Sequence, residues 1–160
     1  MDARAQLAAL EEIRLVQARY WRYMDTKQWD RLRTVFTDDA QCSFPGERGG
    51  RAQGGDAVVG YIRERVEDAE TVHHGHQPEI EFDSPVAARG VWAFEDLLQW
   101  PPGMSLRGTT SLHGWGHYHN RYAKTAAGWR ISFFSVTRLR LKVNGSGVPV
   151  EGLTEVAGPL

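Results

Sequence analysis

Apolar side chains recur at helical spacing through the N-terminal part of the chain. Between residues 3 and 24 they return at steps of three and four with charges mostly between them, which predicts an amphipathic helix. These positions are Leu7, Leu10, Ile13, Val16, Tyr20 and Met24. A shorter helix is predicted over 28–36, stopped by the acidic pair at 38–39. A third is predicted over 56–67, with Asp56 as its N-cap.

The apolar period changes to two in the second half of the chain. Alternating apolar and polar positions predict strands over 78–83, 86–100, 112–124 and 129–143. Turn-forming residues separate them at 83–85, 101–103 and 125–128. Helices followed by a run of strands predict an α+β fold, with helices packed on one face of a curved antiparallel sheet. The order argues against a doubly wound α/β fold, because helices and strands do not alternate.

Length and turn composition predict one domain. The chain has 160 residues, enough to bury roughly two thirds of its unfolded surface. Two stretches are rich in turn formers: 45–55, interpreted as a surface loop, and the segment from Asn144 onward, interpreted as a mobile or partner-docked tail. The predicted boundaries are therefore a single domain over 1–143 and a C-terminal tail over 144–160.

Charge and cysteine content exclude several classes of function. Nineteen basic and 20 acidic residues give a formal net charge of -1, which argues against an electrostatic nucleic-acid binder. A single cysteine, Cys42, provides neither an internal disulfide nor a thiolate zinc cluster. We expect a cytoplasmic protein without a membrane partner, because no bilayer-length apolar run and no signal-peptide pattern are visible. Six Trp and six His suggest an aromatic-lined cavity, although a bulky aromatic core would explain them too.

An ordered set of short segments resembles the SnoaL-like branch of the nuclear-transport-factor-like superfamily over about residues 8 to 140. The segments are Ile13-Arg14-Leu15 with Ala18-Arg19-Tyr20, Met24-Asp25, Trp29-Asp30 with Leu32, Phe36-Thr37-Asp38-Asp39-Ala40, Gly54-Gly55-Asp56-Ala57-Val58, Thr71-Val72-His73, Trp92-Ala93-Phe94-Glu95-Asp96 and Gly128-Trp129-Arg130-Ile131. The resemblance implies a cone-shaped α+β barrel, in which a strongly bent antiparallel sheet wraps around N-terminal helices. The pattern is most similar to scytalone dehydratase and bile acid 7-alpha-dehydratase-like proteins.

This resemblance also implies a set of catalytic residues. They are Tyr20, Asp25, His73, Asp96 and Arg138. Arg140 is an alternative to Arg138, because residues two apart on a strand share a face. Tyr20 and Asp25 lie about 140° apart on an ideal helix, so they converge on one pocket if the helix ends or bends near Met24. Homodimers or homotrimers formed through the convex sheet face are a further implication.

His73 is the leading candidate for a catalytic base, because imidazole exchanges protons near neutral pH. Asp25 could orient the ring and stabilise the imidazolium. The alternative for His73 is a surface histidine in a turn over 73–76, and for Asp25 a carboxylate bonded to the following turn. The helix dipole opposes a carboxylate at a helix C-terminus, which favours a functional role for Asp25. Tyr20 is either a proton donor to a substrate oxygen or a core aromatic.

Asp96 shares a strand face with four large apolar residues, which is unexpected for pure packing. These four are Trp92, Phe94, Leu98 and Trp100. Burial could keep Asp96 protonated as a general acid. Alternatively, Asp96 is satisfied by Arg138 or a backbone amide. The predicted substrate-binding wall consists of Trp92, Phe94, Trp100, Tyr118 and Met24.

One face of the strand over 112–124 carries three histidines and a tryptophan. His113, Trp115, His117 and His119 alternate with Gly114, Gly116, Tyr118, Asn120 and Tyr122. We predict no metal site there, because no carboxylate alternates with the histidines. This face is predicted to be an outer or oligomer surface, although one of its histidines could reach the pocket. Gly114 and Gly116 would leave room for a ligand or permit bending of the sheet.

These features predict a cofactor-independent dehydratase acting on a small hydrophobic cyclic hydroxy-carbonyl compound. His73, oriented by Asp25, would remove an acidic C–H proton. Tyr20 with Arg138 would stabilise the enolate, and Asp96 or the histidinium would protonate the leaving hydroxyl. An isomerase or polyketide-type cyclase on the same pocket, or a non-catalytic ligand-binding or assembly domain, remains an alternative.

Overall fold

The computed structural model describes residues 1–44 and 50–150. The helices are α1 (Ala3–Asp25), α2 (Trp29–Arg33) and α3 (Gly55–Val66). The strands are β1 (Phe36–Ser43), β2 (Arg51–Gln53), β3 (Glu70–Ser84), β4 (Ala87–Gln99), β5 (Ser111–Thr125), β6 (Gly128–Val143) and β7 (Ser146–Val148). The order of helices and long strands agrees with the apolar periodicity of the sequence.

Helix α1 agrees closely with its predicted limits. The Asp2 side chain caps its N-terminus by accepting a hydrogen bond from the Ala5 amide at 2.8 Å. Its buried stripe includes Ile13, Val16, Tyr20 and Met24, because residues three and four apart share one helix face. Leu7, also predicted for this stripe, is exposed.

The predicted second helix is wrong in its last three residues, 34–36. Helix α2 ends at Arg33, and Phe36 begins strand β1, so the acidic pair at 38–39 lies within a strand rather than at a helix stop. Strand β1 pairs in parallel with β6, with Cys42 opposite Phe134. Because this partner lies far away in sequence, local periodicity does not reveal the pairing. The sheet is therefore mixed rather than purely antiparallel.

Helix α3 begins one residue earlier than predicted, with Gly54 rather than Asp56 at the N-cap position. Asp56 lies in the first helical turn and pairs with Arg33 at 2.8 Å. The predicted loop at 45–55 includes strand β2 and the start of α3, and its residues 45–49 lie outside the described residues.

Strand β3 begins at Glu70 rather than at residue 78. The turn considered for His73 is therefore wrong, because residues 73–76 belong to this strand. A register irregularity between Gly75 and Pro78 interrupts the alternation that would have marked the strand. Gly75 has a packing role, since a Cβ there would lie 1.8 Å from the Trp21 ring.

The strands form one curved, unclosed sheet in the order β2-β1-β6-β5-β4-β3, with β7 paired to β6. Helix α1 packs on the concave face, where Trp21 meets Trp92 at a ring-centroid distance of 5.5 Å and Tyr20 meets Phe134 at 5.6 Å. The cone-shaped α+β fold is confirmed. Residues 146–148 of the predicted tail form β7, and 151–160 lie outside the described residues.

Candidate active site

A cavity of about 410 Å³ lies between the helices and the concave face of the sheet. Its wall is mainly apolar and aromatic, with a few polar groups, as in typical small-molecule sites. Its lining residues are Tyr20, Met24, Phe44, Tyr61, Ile62, Glu64, Arg65, Val66, His73, Asp96, Leu98, Trp100, Leu106, Arg107, Thr109, Leu112, Tyr118, Val136 and Arg138. Four of the five predicted catalytic residues therefore face one cavity, and the fifth, Asp25, contacts His73.

His73 is held against the C-terminal end of α1 by Asp25. Its Nδ1 lies 2.6 Å from Asp25 Oδ1, and its backbone N–H donates to Asp25 Oδ2 at 2.9 Å. The imidazole is only 5% exposed and the carboxylate 20%. Helix α1 ends at Asp25, so this side chain can turn toward β3 while Tyr20 faces the cavity. Tyr20 and Asp25, five residues apart, can therefore contribute to one site because the helix ends at Asp25.

Hydrogen-bond chemistry assigns the tautomer of His73. An ionised carboxylate can only accept hydrogen bonds, so the Nδ1 atom beside Asp25 carries the ring proton. In the neutral ring the lone pair then lies on Nε2. Because His73 lines the cavity, this arrangement provides a base for a ligand bound there.

Asp96 and Arg138 form a bidentate ion pair beside His73. The Asp96 oxygens accept hydrogen bonds from Nη1 and Nη2 of Arg138 at 2.7 and 2.8 Å. Asp96 is the Cα partner of His73 on β3 and of Gly114 on β5, so the three residues form one row across the sheet. A Cβ at Gly114 would lie 2.2 Å from Arg138 Nη1, which shows that this glycine provides space for the guanidinium.

The ion pair changes the interpretation of Asp96. An ionised carboxylate whose two oxygens both accept from a guanidinium has no proton to donate. The geometry matches the alternative of an aspartate satisfied by Arg138, and these contacts give no support to the general-acid role predicted from burial. Asp96 instead fixes the position of the Arg138 guanidinium in the cavity wall.

A β-bulge explains why Arg138 rather than Arg140 faces the cavity. Gly116 is paired with Arg138, whereas the neighbouring Trp115 is paired with Arg140. Leu139 is therefore an extra residue in β6, and the alternation of faces reverses there. Arg140 lies on the convex side, with its guanidinium 5.1 Å from the Trp115 ring. The expectation that both arginines share a face is wrong because of this bulge.

Two buried phenols lie next to each other on the cavity wall. The rings of Tyr20 and Tyr118 are 5.8 Å apart in an edge-on arrangement. Burial raises the pKa of Tyr20 well above its ordinary value, and the interaction with Tyr118 raises it further. Burial likewise raises the pKa of Tyr118, and the nearby Asp96 charge adds to this effect. Both phenols therefore keep their protons and can act as hydrogen-bond donors.

The predicted substrate-binding residues divide into two groups. Met24, Trp100 and Tyr118 line the cavity. Trp92 and Phe94 do not, because both are covered by neighbouring side chains. The Trp92 indole donates to the Tyr122 hydroxyl at 2.8 Å in the core, and Phe94 lies 4.4 Å from Tyr118.

Sequence reasoning missed the contribution of helix α3 to the cavity wall. Tyr61, Ile62 and Val66 of α3 line the cavity, as do Leu98 and Val136 of the sheet. The apolar stripe of α3 was visible in the sequence. Whether that stripe covers the core or faces a cavity depends on how the helix packs.

The histidine face of β5 points away from the cavity. His113, His117 and His119 alternate with inward-facing buried residues and do not appear in the cavity wall.

Burial lowers the pKa of His119, whose Nε2 lies 2.9 Å from Thr137 Oγ1. The hydrogen bond from His74 lowers the pKa of Glu95. In the described part of the chain, no three His, Cys, Asp or Glu residues are grouped so that they could hold a metal ion.

Comparison with known proteins identifies the class to which this fold and site belong. The family model of the SnoaL-like domain matches residues 5–135, so the chain belongs to the SnoaL-like family.

In residues 1–44 and 50–150, no helix has both the length and the hydropathy needed to cross a membrane.

Several solved structures have the same fold. A hexachlorocyclohexane dehydrochlorinase, LinA type 2, superposes with a TM-score of 0.77 at 20% identity, covering 92% of this chain and 98% of that one. A candidate scytalone dehydratase from Novosphingobium aromaticivorans DSM 12444 gives 0.76 at 15% identity, covering 99% and 100%. An NTF2-like protein with a cystatin-like fold from Novosphingobium aromaticivorans gives 0.66 at 19% identity, covering 94% and 92%.

Proposed function

We propose that this protein is a cofactor-independent lyase that dehydrates a hydrophobic cyclic hydroxy-carbonyl compound. The observation that carries the proposal is the buried His73–Asp25 pair, whose imidazole faces an apolar cavity next to the Asp96–Arg138 pair. An oriented base, a fixed cation and an apolar enclosure are the groups needed for an elimination through an enolate.

The first step is removal of an acidic proton next to the carbonyl group. His73 Nε2 accepts the proton, and the C–H electron pair is delocalised onto the carbonyl oxygen as an enolate. Asp25 stabilises the imidazolium through its 2.6 Å contact with Nδ1. Since His73 is nearly buried, water competes weakly with the substrate for this nitrogen.

The developing enolate oxygen needs hydrogen-bond donors that are already in position. Arg138 is held by Asp96, while Tyr20 and Tyr118 stay protonated because burial raises their pKa values. Such preorganised donors stabilise charge without a reorganisation cost during the reaction. Asp96 acts as a positioning residue for Arg138 in this scheme rather than as the acid.

The second step expels the β-hydroxyl group. The enolate electron pair forms the new C=C bond as the C–O bond breaks. The histidinium returns its proton to the departing oxygen, so water leaves and His73 becomes neutral again. No oxidant, reductant or added cofactor is required for this balance.

Turnover of a panel of cyclic β-hydroxy ketones, followed by product mass spectrometry, tests the proposal. We expect a product lighter by one water, and a large loss of kcat in His73→Ala and Asp25→Asn with the fold retained. His76→Ala and Asp68→Asn are matched controls, since both native residues are exposed. Full activity of the His73 and Asp25 variants would overturn the assignment.

The same experiment separates the alternative functions. A product of unchanged mass would indicate an isomerase or a cyclase that uses the same base and oxyanion donors. A ligand that raises the melting temperature without being converted would indicate a binding domain. Family membership and the dehydratase and dehydrochlorinase neighbours support a lyase or isomerase kind of role.

The predicted homodimer or homotrimer would use the convex sheet face. Val72 and Leu97 are paired on neighbouring strands and are 47% and 39% exposed, and Leu139 is 66% exposed. With Trp115 they provide apolar surface of the kind that subunit contacts cover. Light scattering on the wild type and on Leu97→Lys tests this prediction. A wild-type monomer mass would contradict it.

A further inference from the structure

A chain of three hydrogen bonds runs outward from the catalytic imidazole. His73 contacts Asp25 Oδ1, which also accepts from the Thr71 hydroxyl at 2.8 Å. Lys27 Nζ lies 3.1 Å from the same hydroxyl oxygen. The four residues come from the end of α1, the turn after it and strand β3. The chain therefore connects the buried site to a half-buried ammonium.

Chemistry fixes the direction of each bond in this chain. A lysine ammonium can only donate and an ionised carboxylate can only accept. The Thr71 hydroxyl must therefore accept from Lys27 and donate to Asp25. Asp25 Oδ1 receives the two side-chain donors, while Oδ2 receives the His73 backbone N–H. These contacts allow a single orientation of the Asp25 carboxylate, the one that directs Oδ1 toward Nδ1.

Lys27 occupies a backbone position that rarely holds a lysine. Its φ is 56°, in the left-handed region that favours glycine. Its N–H bonds to the Met24 carbonyl and that of Gln28 bonds to the Tyr23 carbonyl, which is the Schellman ending of α1. Glycine is the usual residue at this position, so the lysine side chain is present despite unfavourable backbone energy. Strain of this kind concentrates at functional sites.

The charges near the ammonium also connect Lys27 to the site. Burial lowers the pKa of Lys27, while the charges of Asp25 and Glu67 oppose this shift. The ring of Trp29 lies 5.9 Å from Nζ. The titratable groups facing the Asp25–His73 pair from the packed elements are Tyr20, Lys27, Asp96, Tyr118 and Arg138.

We propose that Lys27 and Thr71 are positioning residues, which hold the Asp25 carboxylate and thereby keep the His73 ring in the tautomer that presents Nε2 to the cavity. Neither residue lines the cavity, so neither is expected to touch the substrate. The expected effect of Lys27 and Thr71 on turnover rests on the proposed function. Their expected effect on the tautomer of the His73 ring does not depend on it.

Matched variants separate positioning from simple packing. Thr71→Val removes the hydroxyl at nearly constant volume, whereas Thr71→Ser keeps it. Lys27→Gly removes the ammonium and relieves the left-handed backbone, whereas Lys27→Arg keeps a cation. Lys124→Met removes a positive charge from an exposed position far along β5 and controls for net charge.

The substrate-independent measurement is the long-range nitrogen–proton NMR spectrum of the His73 ring, at a pH where the ring is neutral. The signals are assigned by their loss in His73→Ala. We expect the Nδ1–H tautomer in the wild type, Thr71→Ser and Lys124→Met, and a mixture of tautomers in Thr71→Val and Lys27→Gly. A pure Nδ1–H tautomer in both of the latter variants would overturn the inference.

The kinetic measurement applies once a substrate is turned over. In Thr71→Val and Lys27→Gly, kcat should fall about tenfold to a hundredfold, with KM changed little. This is the range known for removing the hydrogen-bond partners that orient metal-binding histidines. The melting temperature of Lys27→Gly should be equal to or above that of the wild type. Unchanged kcat in both variants, or a loss that follows the melting temperature, would contradict positioning. If His73→Ala stays active, the proposed function fails, and the NMR result alone decides this inference.

Discussion

Replacing Arg138 by methionine should destabilise the fold strongly, because it leaves the Asp96 carboxylate buried without its partner. The Asp96 side chain is 5% exposed and that of Arg138 is 17% exposed, and two hydrogen bonds of 2.7 and 2.8 Å join them. Removing one member of such a pair costs roughly 3–5 kcal/mol. The Arg138 guanidinium carbon lies 5.0 Å from the centre of the Phe94 ring, and a methionine side chain can cover part of the same ring, so the lower end of this range is expected.

The expected loss can be converted into measurable quantities. For a chain of this length, 1 kcal/mol moves the melting temperature by about 2–4 °C. A loss of about 3 kcal/mol therefore lowers the melting temperature by roughly 10 °C. Urea unfolding followed by circular dichroism should show a lower midpoint with an unchanged slope.

A double variant tests the cause of the destabilisation. Replacing both partners, as in Asp96→Leu with Arg138→Met, removes the buried charge and should recover about 2 kcal/mol relative to the sum of the single losses. Arg140→Met is the control, because Arg140 lies on the convex face and should change stability by less than about 1 kcal/mol. A loss below about 1 kcal/mol in Arg138→Met, or strict additivity in the double variant, would refute the reasoning.

Three further substitutions test other parts of the structure. Gly75→Ala places a Cβ 1.8 Å from the Trp21 ring and should cost about 2 kcal/mol in urea unfolding; a neutral result would contradict the contact. Gly114→Ala places a Cβ against the Arg138 guanidinium, so kcat should fall in this variant. It should fall in Gly114→Ser as well, because serine carries the same Cβ. Burial raises the pKa of Tyr118, so its stabilising contribution is complete below about pH 10 and is lost as pH rises through the folded-state value. In Tyr118→Phe the fall in stability above about pH 10 should be shallower by up to ~1.4 kcal/mol per pH unit, and an unchanged slope would contradict the buried phenol.

Periodicity in the sequence determined the elements that bury one regular face. Helix α1 and strands β4 and β5 have long helical or alternating patterns, so both their limits and their inward residues were predictable. Asp96 was identified because a carboxylate stood on an apolar face. The α+β order followed in turn, since helices preceded the strands.

The tertiary structure decided every feature that depends on a distant partner. Strand β1 exists as a parallel neighbour of β6, and β3 extends to Glu70 because β4 pairs with it. The bulge at Leu139 reverses the alternation of faces, so that Arg138 stays on the cavity side while Arg140 faces the convex side. No local pattern encodes such a reversal, because one extra residue in a strand is defined by the register of its neighbour.

The candidate site shows the same division of information. The sequence supplied His73, a residue type that exchanges protons near neutral pH, and Asp25 as its possible partner, and the family resemblance placed both in one predicted site. Folding decided that the end of α1 meets β3, that Asp96 is bound by Arg138, and that Lys27 reaches Thr71. These contacts join residues far apart in the chain, so their distances and bond directions arise from packing and cannot be derived from spacing along the sequence.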